Sequence, residues 1–285
     1  MNYGHMIKRQ KKKVVWQVVR YGILIFACLF ALIPILWGLS TSLKPDVEVS
    51  KYPPTIVPEK VIYENYIMGV FNPKFMRYIL NTVIVVVISL ALCLMVSSHA
   101  AHAIGRFRFR GSETMLMLMF CTIMIPGVAI IVPLYLLSIQ MGLYDTLWVL
   151  VLAYSAWLTP TVVWLLRGFV RNIPYELEES ARIDGCSRSS AFYRITLPLL
   201  RPGLLAATVL IFANIWNEFL IGYCLVLSDE VRLVQVGIYS NLTEVGIRWG
   251  WLTAGTIGAS LPVLIAYAFL QRAFITGLSA GAVKG

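Results

Sequence analysis

Long apolar runs, separated by short polar stretches, set the pattern of this chain. A helix that crosses a lipid bilayer needs roughly 20 mostly apolar residues. Six runs meet that length, at about 19–41, 79–103, 114–138, 147–167, 200–227 and 252–274. Each is too long and too continuously apolar for a barrel strand, which alternates and is about half as long. Helices also satisfy the backbone inside each segment, as lipid requires. The pattern predicts an all-α polytopic membrane protein with about six transmembrane helices. No internal repeat or low-complexity tract interrupts it, so it reads as a polar tail over 1–18 and one transmembrane domain over 19–285.

The polar stretches differ in character. The 42–78 loop is long and holds Pro45, Pro53, Pro54, Pro58 and Pro73, which predicts an irregular segment with at most a short helix. Pro34, Pro126, Pro133, Pro160 and Pro262 fall inside the runs, where they produce either ordinary kinks or local breaks. The first run follows a basic N-terminus, as in a signal peptide. It is too long for a signal core and no small-residue cleavage site follows it, so it reads as a retained first helix.

Composition supports lipid as the solvent. Of the 285 residues 59% are hydrophobic and only 13% are charged, against roughly 25% charged in soluble domains. The net charge of +10 comes from residues between the apolar runs, not from a folded basic surface, so nucleic acid is not the expected partner. The two termini and the loops at 104–113 and 167–201 carry 17 Lys and Arg, against 7 on the alternate loops. The richer side is the cytoplasm, which places both termini there.

Catalytic and metal chemistry are not suggested. Cys28, Cys93, Cys121 and Cys224 lie in apolar segments and Cys186 in a polar loop, with no CxxC pair and no Cys/His cluster. Neither a disulfide framework nor a metal site is expected. No phosphate-binding G-x-x-x-x-G-K-[ST] loop exists, so the chain cannot itself hydrolyse ATP. His5, His99 and His102 lie near helix ends or the terminus and read as packing or interfacial residues.

The most informative stretch is the loop 168–199. Pro174 suits the first position of a helix, and Glu176, Glu178 and Glu179 fall where a helix dipole favours anions. Leu177 and Ala181 share one face. Asp184-Gly185 reads as a stop, with Gly185 free to take positive φ, and Ser187 can cap a second helix. The result is a short helix, a tight turn and a second short helix. Three glutamates would be repelled by anionic lipid, so a protein partner is the better target.

Glu179-Ser180-Ala181, then Gly185, then Ile195-x-Leu197-Pro198 resembles the EAA loop of ABC-importer permeases, E-A-A-x3-G-x9-I-x-L-P, with Ser180 as its one departure. STSLKP (40–45), RYILNTVIV (77–85), GRFRFRG (105–111), the stretch 124–146, WNEFL (216–220) and QRAFITGLSAGAVKG (271–285) resemble carbohydrate permeases of the maltose-transporter type, the last one the second permease subunit. His99 and His102 depart from that pattern. The resemblance covers nearly the whole chain.

The resemblance implies a bacterial inner-membrane pore subunit that pairs with a homologous permease and two ATPase subunits, which bind the ATP and Mg; this chain would hold no cofactor. An external binding protein would deliver a carbohydrate. Glu179 would pair with a basic group of the ATPase, Ala181 would allow close contact, Gly185 would make the turn beside Asp184, and Lys284 would reach the ATPase dimer interface. An ion-gradient-driven transporter and a non-transporting scaffold remain the alternatives. The first predicts inverted repeats and midplane titratable groups.

Asn214, Asn217 and Glu218 sit mid-run at i, i+3, i+4 spacing, with Trp216 beside them. Amides, a carboxylate and aromatics suit a sugar path; equally, they suit helix-to-helix hydrogen bonds. Gly250, Ala254 and Gly258 form a small-residue face for close packing, with the partner permease as one candidate neighbour.

Overall fold

The computed structural model describes residues 3–107, 109–240 and 248–282, with side chains described inside the range 15–268 of these. Lys284 lies outside the described residues. The helices run α1 (Tyr3–Ser42), α2 (Asp46–Val49), α3 (Glu64–Gly69), α4 (Pro73–Arg106), α5 (Ser112–Ile123), α6 (Gly127–Gln140), α7 (Leu147–Asn172), α8 (Glu176–Ile183) and α9 (Arg188–Ala191). A π-helical turn at Phe192–Thr196 leads to α10 (Leu197–Leu199), α11 (Arg201–Asn217), α12 (Leu220–Leu225), α13 (Val234–Ser240) and α14 (Trp249–Ala282). Among the described residues no strand occurs.

Among the described residues four helices are long and apolar enough to cross a membrane alone: α1 over Val15–Ser42, α4, α7, and α14 over Trp249–Ala268. Two bent pairs bring the number to six if each is one span. Here the structure departs from the simplest reading. The expected span 114–138 is α5 and α6 meeting at 97°. Pro126 lies in extended backbone at that break, where it has no N–H to give a continuing helix. The expected span 200–227 is also interrupted. Its start meets the preceding Arg188–Leu199 segment at 71°, and Glu218 leaves the helix in extended conformation between α11 and α12. Pro34, Pro133, Pro160 and Pro262 remain inside their helices.

The chain divides into two compact units. One holds residues 1–71 and 245–258. In it, α1 exposes its apolar side chains from Val15 to Leu36, as a lipid-facing helix does. Asn65 of α3 donates to the carbonyls of Ser42 and Lys44, both at 2.9 Å, and Ser42 Oγ lies 2.8 Å from Tyr66 Oη. The Gly250/Ala254/Gly258 face packs on this same segment. A Cβ added at Gly250 would stand 2.4 Å from Asn65 Nδ2, and one at Gly258 2.9 Å from Val70 Cγ2. The small-residue face is therefore used within the chain.

The other unit holds residues 72–244 and 259–285. Its core is the seam of α4 and α7, with Val85, Cys93, Leu150, Tyr154, Val162 and Leu166 buried. Small polar groups bridge the seam. Ser89 Oγ donates to the Val151 carbonyl and Ser155 Oγ to the Ser89 carbonyl, each at 3.4 Å. In lipid, close approach and such bonds replace the hydrophobic drive between helices. At one end of α4, Asn81 donates to the carbonyls of Glu230 and Arg232 (2.9 and 3.0 Å), which fixes α13 there.

Replacing Gly250 by Leu forces side-chain atoms into Asn65 and is expected to destabilise the protein by about 1–3 kcal/mol. Thermal unfolding in detergent checks this. Gly22→Leu, on α1 with nothing within 4 Å, serves as the control and leaves the midpoint unchanged.

Candidate functional site

The helix pair that follows α7 is built by short-range rules. Ile173 is extended ahead of Pro174, as a residue before proline prefers, and α7 ends there. The first helix begins at Glu176, two residues later than Pro174 suggested, with three glutamates in its first turn. Gly185 takes φ +91°, which only glycine adopts without strain. That turn lets the N–H groups of Gly185 and Cys186 close on the carbonyls of Arg182 (3.1 Å) and Ala181 (2.9 Å). Ser187 Oγ accepts from the Ser190 N–H at 3.2 Å and starts the second helix.

The two faces of α8 differ. Ala181 is buried, whereas Leu177 is 42% exposed, so the expected shared face is only half buried. Glu179, Ser180, Asp184 and Gly185 are exposed, and Ile183 is 86% exposed at the tip. Further on, Ile195 and Leu197 are half-buried and Pro198 is exposed. Among the described residues the Glu179 side chain makes no hydrogen bond or ion pair; its backbone N–H donates to the Tyr175 carbonyl at 3.3 Å.

The carboxylate that α8 buries is Glu178. Arg106 Nε donates to its Oε1 at 2.9 Å, and the same guanidinium donates from Nη1 to the Ile173 carbonyl at 2.8 Å. His102 Nε2 lies 3.3 Å from both carboxylate oxygens, and Thr196 Oγ1 donates to Oε1. Burial pushes the Glu178 carboxyl up. The Thr196 hydroxyl, the Arg106 charge and His102 more than offset that, and the group lies below the ordinary carboxylate range. The rings of Phe107 and Phe192 pack on His102 at 5.5 and 4.7 Å. The sequence places Glu178 only among the first-turn glutamates and gives the site role to Glu179. A signal for it existed: His102 and Arg106, one turn apart at the end of an apolar run, need an acid nearby.

Halfway along the chain's fifth apolar run lies a groove of about 500 Å³, lined by Trp157, Ala213, Asn214, Asn217, Glu218, Phe219 and Leu220. The structure thus brings Asn214, Asn217 and Glu218 together, though Glu218 stands outside the helix. Asn214 and Asn217 are exposed and donate to the carbonyls of Leu210 and Ala213, both at 2.8 Å. Glu218 accepts from the N–H groups of Ile221 (2.8 Å) and Gly222 (3.2 Å) and from Tyr154 Oη (2.7 Å). Trp216 does not line the groove. It is buried, stacks on Phe212 at 5.5 Å and donates to the Ala259 carbonyl at 3.2 Å. Trp157 of α7 supplies the aromatic wall instead.

The family model described as "Binding-protein-dependent transport system inner membrane component" matches residues 66–279, which include both the α8–α10 segment and the groove. The chain belongs to this family. It is the membrane component of a binding-protein-dependent transport system, a multi-pass protein and not an enzyme. Among its relatives, the diacetylchitobiose uptake system permease protein DasC of Streptomyces coelicolor is 31% identical over 279 residues, covering 98% of this chain and 100% of that one. The trehalose transport system permease protein SugB of Mycobacterium tuberculosis is 30% identical over 259 residues, covering 90% and 93%. A chain in the crystal structure of a bacterial ABC transporter involved in the import of the acidic polysaccharide alginate shares the fold. Its TM-score is 0.79 at 20% identity, covering 92% of this chain and 97% of that one.

Glu218→Ala leaves two N–H groups at the start of α12 uncapped. A loss of about 1 kcal/mol is expected, by analogy with lost helix caps, and is read as a lower unfolding midpoint in detergent. Glu218→Gln, which keeps an acceptor oxygen, loses less.

Proposed function

We propose that this chain is one of two homologous permease subunits of a carbohydrate importer in the bacterial inner membrane. Two separate ATPase subunits, which bind the ATP and Mg, drive it, and an external binding protein delivers the sugar. Both termini lie in the cytoplasm, following the uneven distribution of Lys and Arg. The relatives named for diacetylchitobiose and trehalose uptake support a carbohydrate. The groove chemistry agrees: amide groups for hydroxyls and aromatic rings for sugar faces.

The observation that carries the reading is α8 itself, a short helix whose buried side is held by Glu178 while Glu179, Ser180 and Ile183 are offered outward. An ATPase subunit docks on that outer side, and Glu179 meets a basic group there. ATP binding closes the ATPase pair and shifts the docked helix; the pore opens outward, and hydrolysis resets it. The ion-driven alternative loses ground at Glu218. That mid-run carboxylate is committed to the N–H groups of α12 and to Tyr154, which leaves it poorly suited to carrying protons or cations.

Reconstitution with the partner subunits tests this. Sugar-loaded binding protein is expected to stimulate ATP hydrolysis by the wild type. Glu179→Ala is expected to reduce that stimulation about tenfold, a coupling loss of about 1.4 kcal/mol. A wild-type chain that retains no ATPase subunit, or a Glu179→Ala complex that behaves as wild type, contradicts the proposal.

A further inference from the structure

The coupling-loop reading assigns the docking face of α8 but leaves open how a push on that helix reaches the membrane helices. Among the described residues, Glu178 is the only side chain of α8 with a hydrogen bond or ion pair; Glu176, Glu179, Ser180 and Arg182 have none. Its four contacts run to two places. His102 and Arg106 belong to the last turns of α4, and Thr196 belongs to the π-helical turn that leads through α10 into α11. Arg106 adds a third, because its second nitrogen holds the Ile173 carbonyl at the end of α7.

The side chains of this cluster are enclosed: Arg106 is 6% exposed and Glu178 and His102 10% each. A buried carboxylate cannot leave its partners without uncovering a charge, so the cluster resists being pulled apart. The π turn adds a place where the helix is already locally rewound and so able to shift.

Resting on the coupling-loop reading, we infer that Glu178 is the positioning residue of the importer. Its carboxylate, clasped by Arg106, His102 and Thr196, is the link through which movement of α8 is passed to the ends of α4, α7 and α11. Glu179 takes the push from the ATPase and Glu178 hands it on. The two adjacent glutamates act in series, one facing out and one facing in.

The test uses the complete complex in proteoliposomes. It reads sugar taken up per ATP hydrolysed, together with the amount of ATPase subunit retained. Glu178→Gln and the milder Thr196→Val are both expected to keep the ATPase subunit at wild-type stoichiometry. Sugar per ATP falls about tenfold in the first and about threefold in the second, with Glu178→Asp recovering part of the loss. The double variant is no worse than Glu178→Gln alone, because both act on one link. Wild-type sugar per ATP in Glu178→Gln overturns the inference. So does transport that falls only in step with lost ATPase subunit, since that marks a holding role. Glu179→Ala separates the two readings. If it uncouples and Glu178→Gln does not, the docking face stands and the Glu178 link falls. If the wild type retains no ATPase subunit, the coupling-loop reading itself has failed.

Discussion

A carboxylate taken out of water must find compensation, and Glu178 finds it in Arg106, His102 and Thr196. The placement of α8 follows from that requirement. Consecutive residues on a helix point about 100° apart, so burying Glu178 turns Glu179 away from the helices and towards water. Ala181, three residues on from Glu178, is small enough to lie beneath the helix on the buried side. The Arg106 guanidinium, shared between Glu178 and the Ile173 carbonyl, ties the start of the loop to the place where α7 ends. The outward presentation of this segment is thus a consequence of one charge being satisfied inward.

The second constraint is lipid. Backbone groups freed by a helix break need partners of their own in a bilayer. At the α11–α12 break the Glu218 carboxylate takes two freed N–H groups, and Tyr154 steadies it from α7. At the α5–α6 bend the N–H of Ala129 closes on the Pro126 carbonyl at 2.9 Å. The break at Glu218 also opens the groove, since a continuous helix would carry Phe219 and Leu220 onward along α11. Glu218 thus serves twice, as the acceptor for the freed N–H groups and as part of the groove lining.

Much of this is legible in the sequence alone. The spans at α1, α4, α7 and α14 follow from length and apolar content alone. Gly185 and Ser187 announced the turn and the cap that the structure contains. What escaped was of two kinds. Breaks depend on which of several prolines or polar residues finds substitute partners. Pro126 breaks its run while Pro133, seven residues later, does not, and composition cannot tell them apart. Long-range pairing is the other kind. Trp216 looked like a path residue by proximity to Asn214 and Asn217, yet helix rotation sends it to Ala259. Glu178 and Glu179 are chemically identical neighbours, and the burial of Glu178 depends on distant partners, among them Arg106, 72 residues earlier.

The central claim is that α8 and the end of α7 move as one body when ATP binds. Pulsed electron–electron spin resonance measures it directly in the assembled complex. The labels go on Ile183 at the exposed tip of α8 and on Arg171 in the last turn of α7, in a background lacking the five native cysteines. The account expects one narrow distance that is the same with and without ATP, under conditions where sugar-loaded binding protein accelerates hydrolysis. A distance that shifts on ATP binding would mean that α8 moves independently of α7, and the clasp at Glu178 would not be the link.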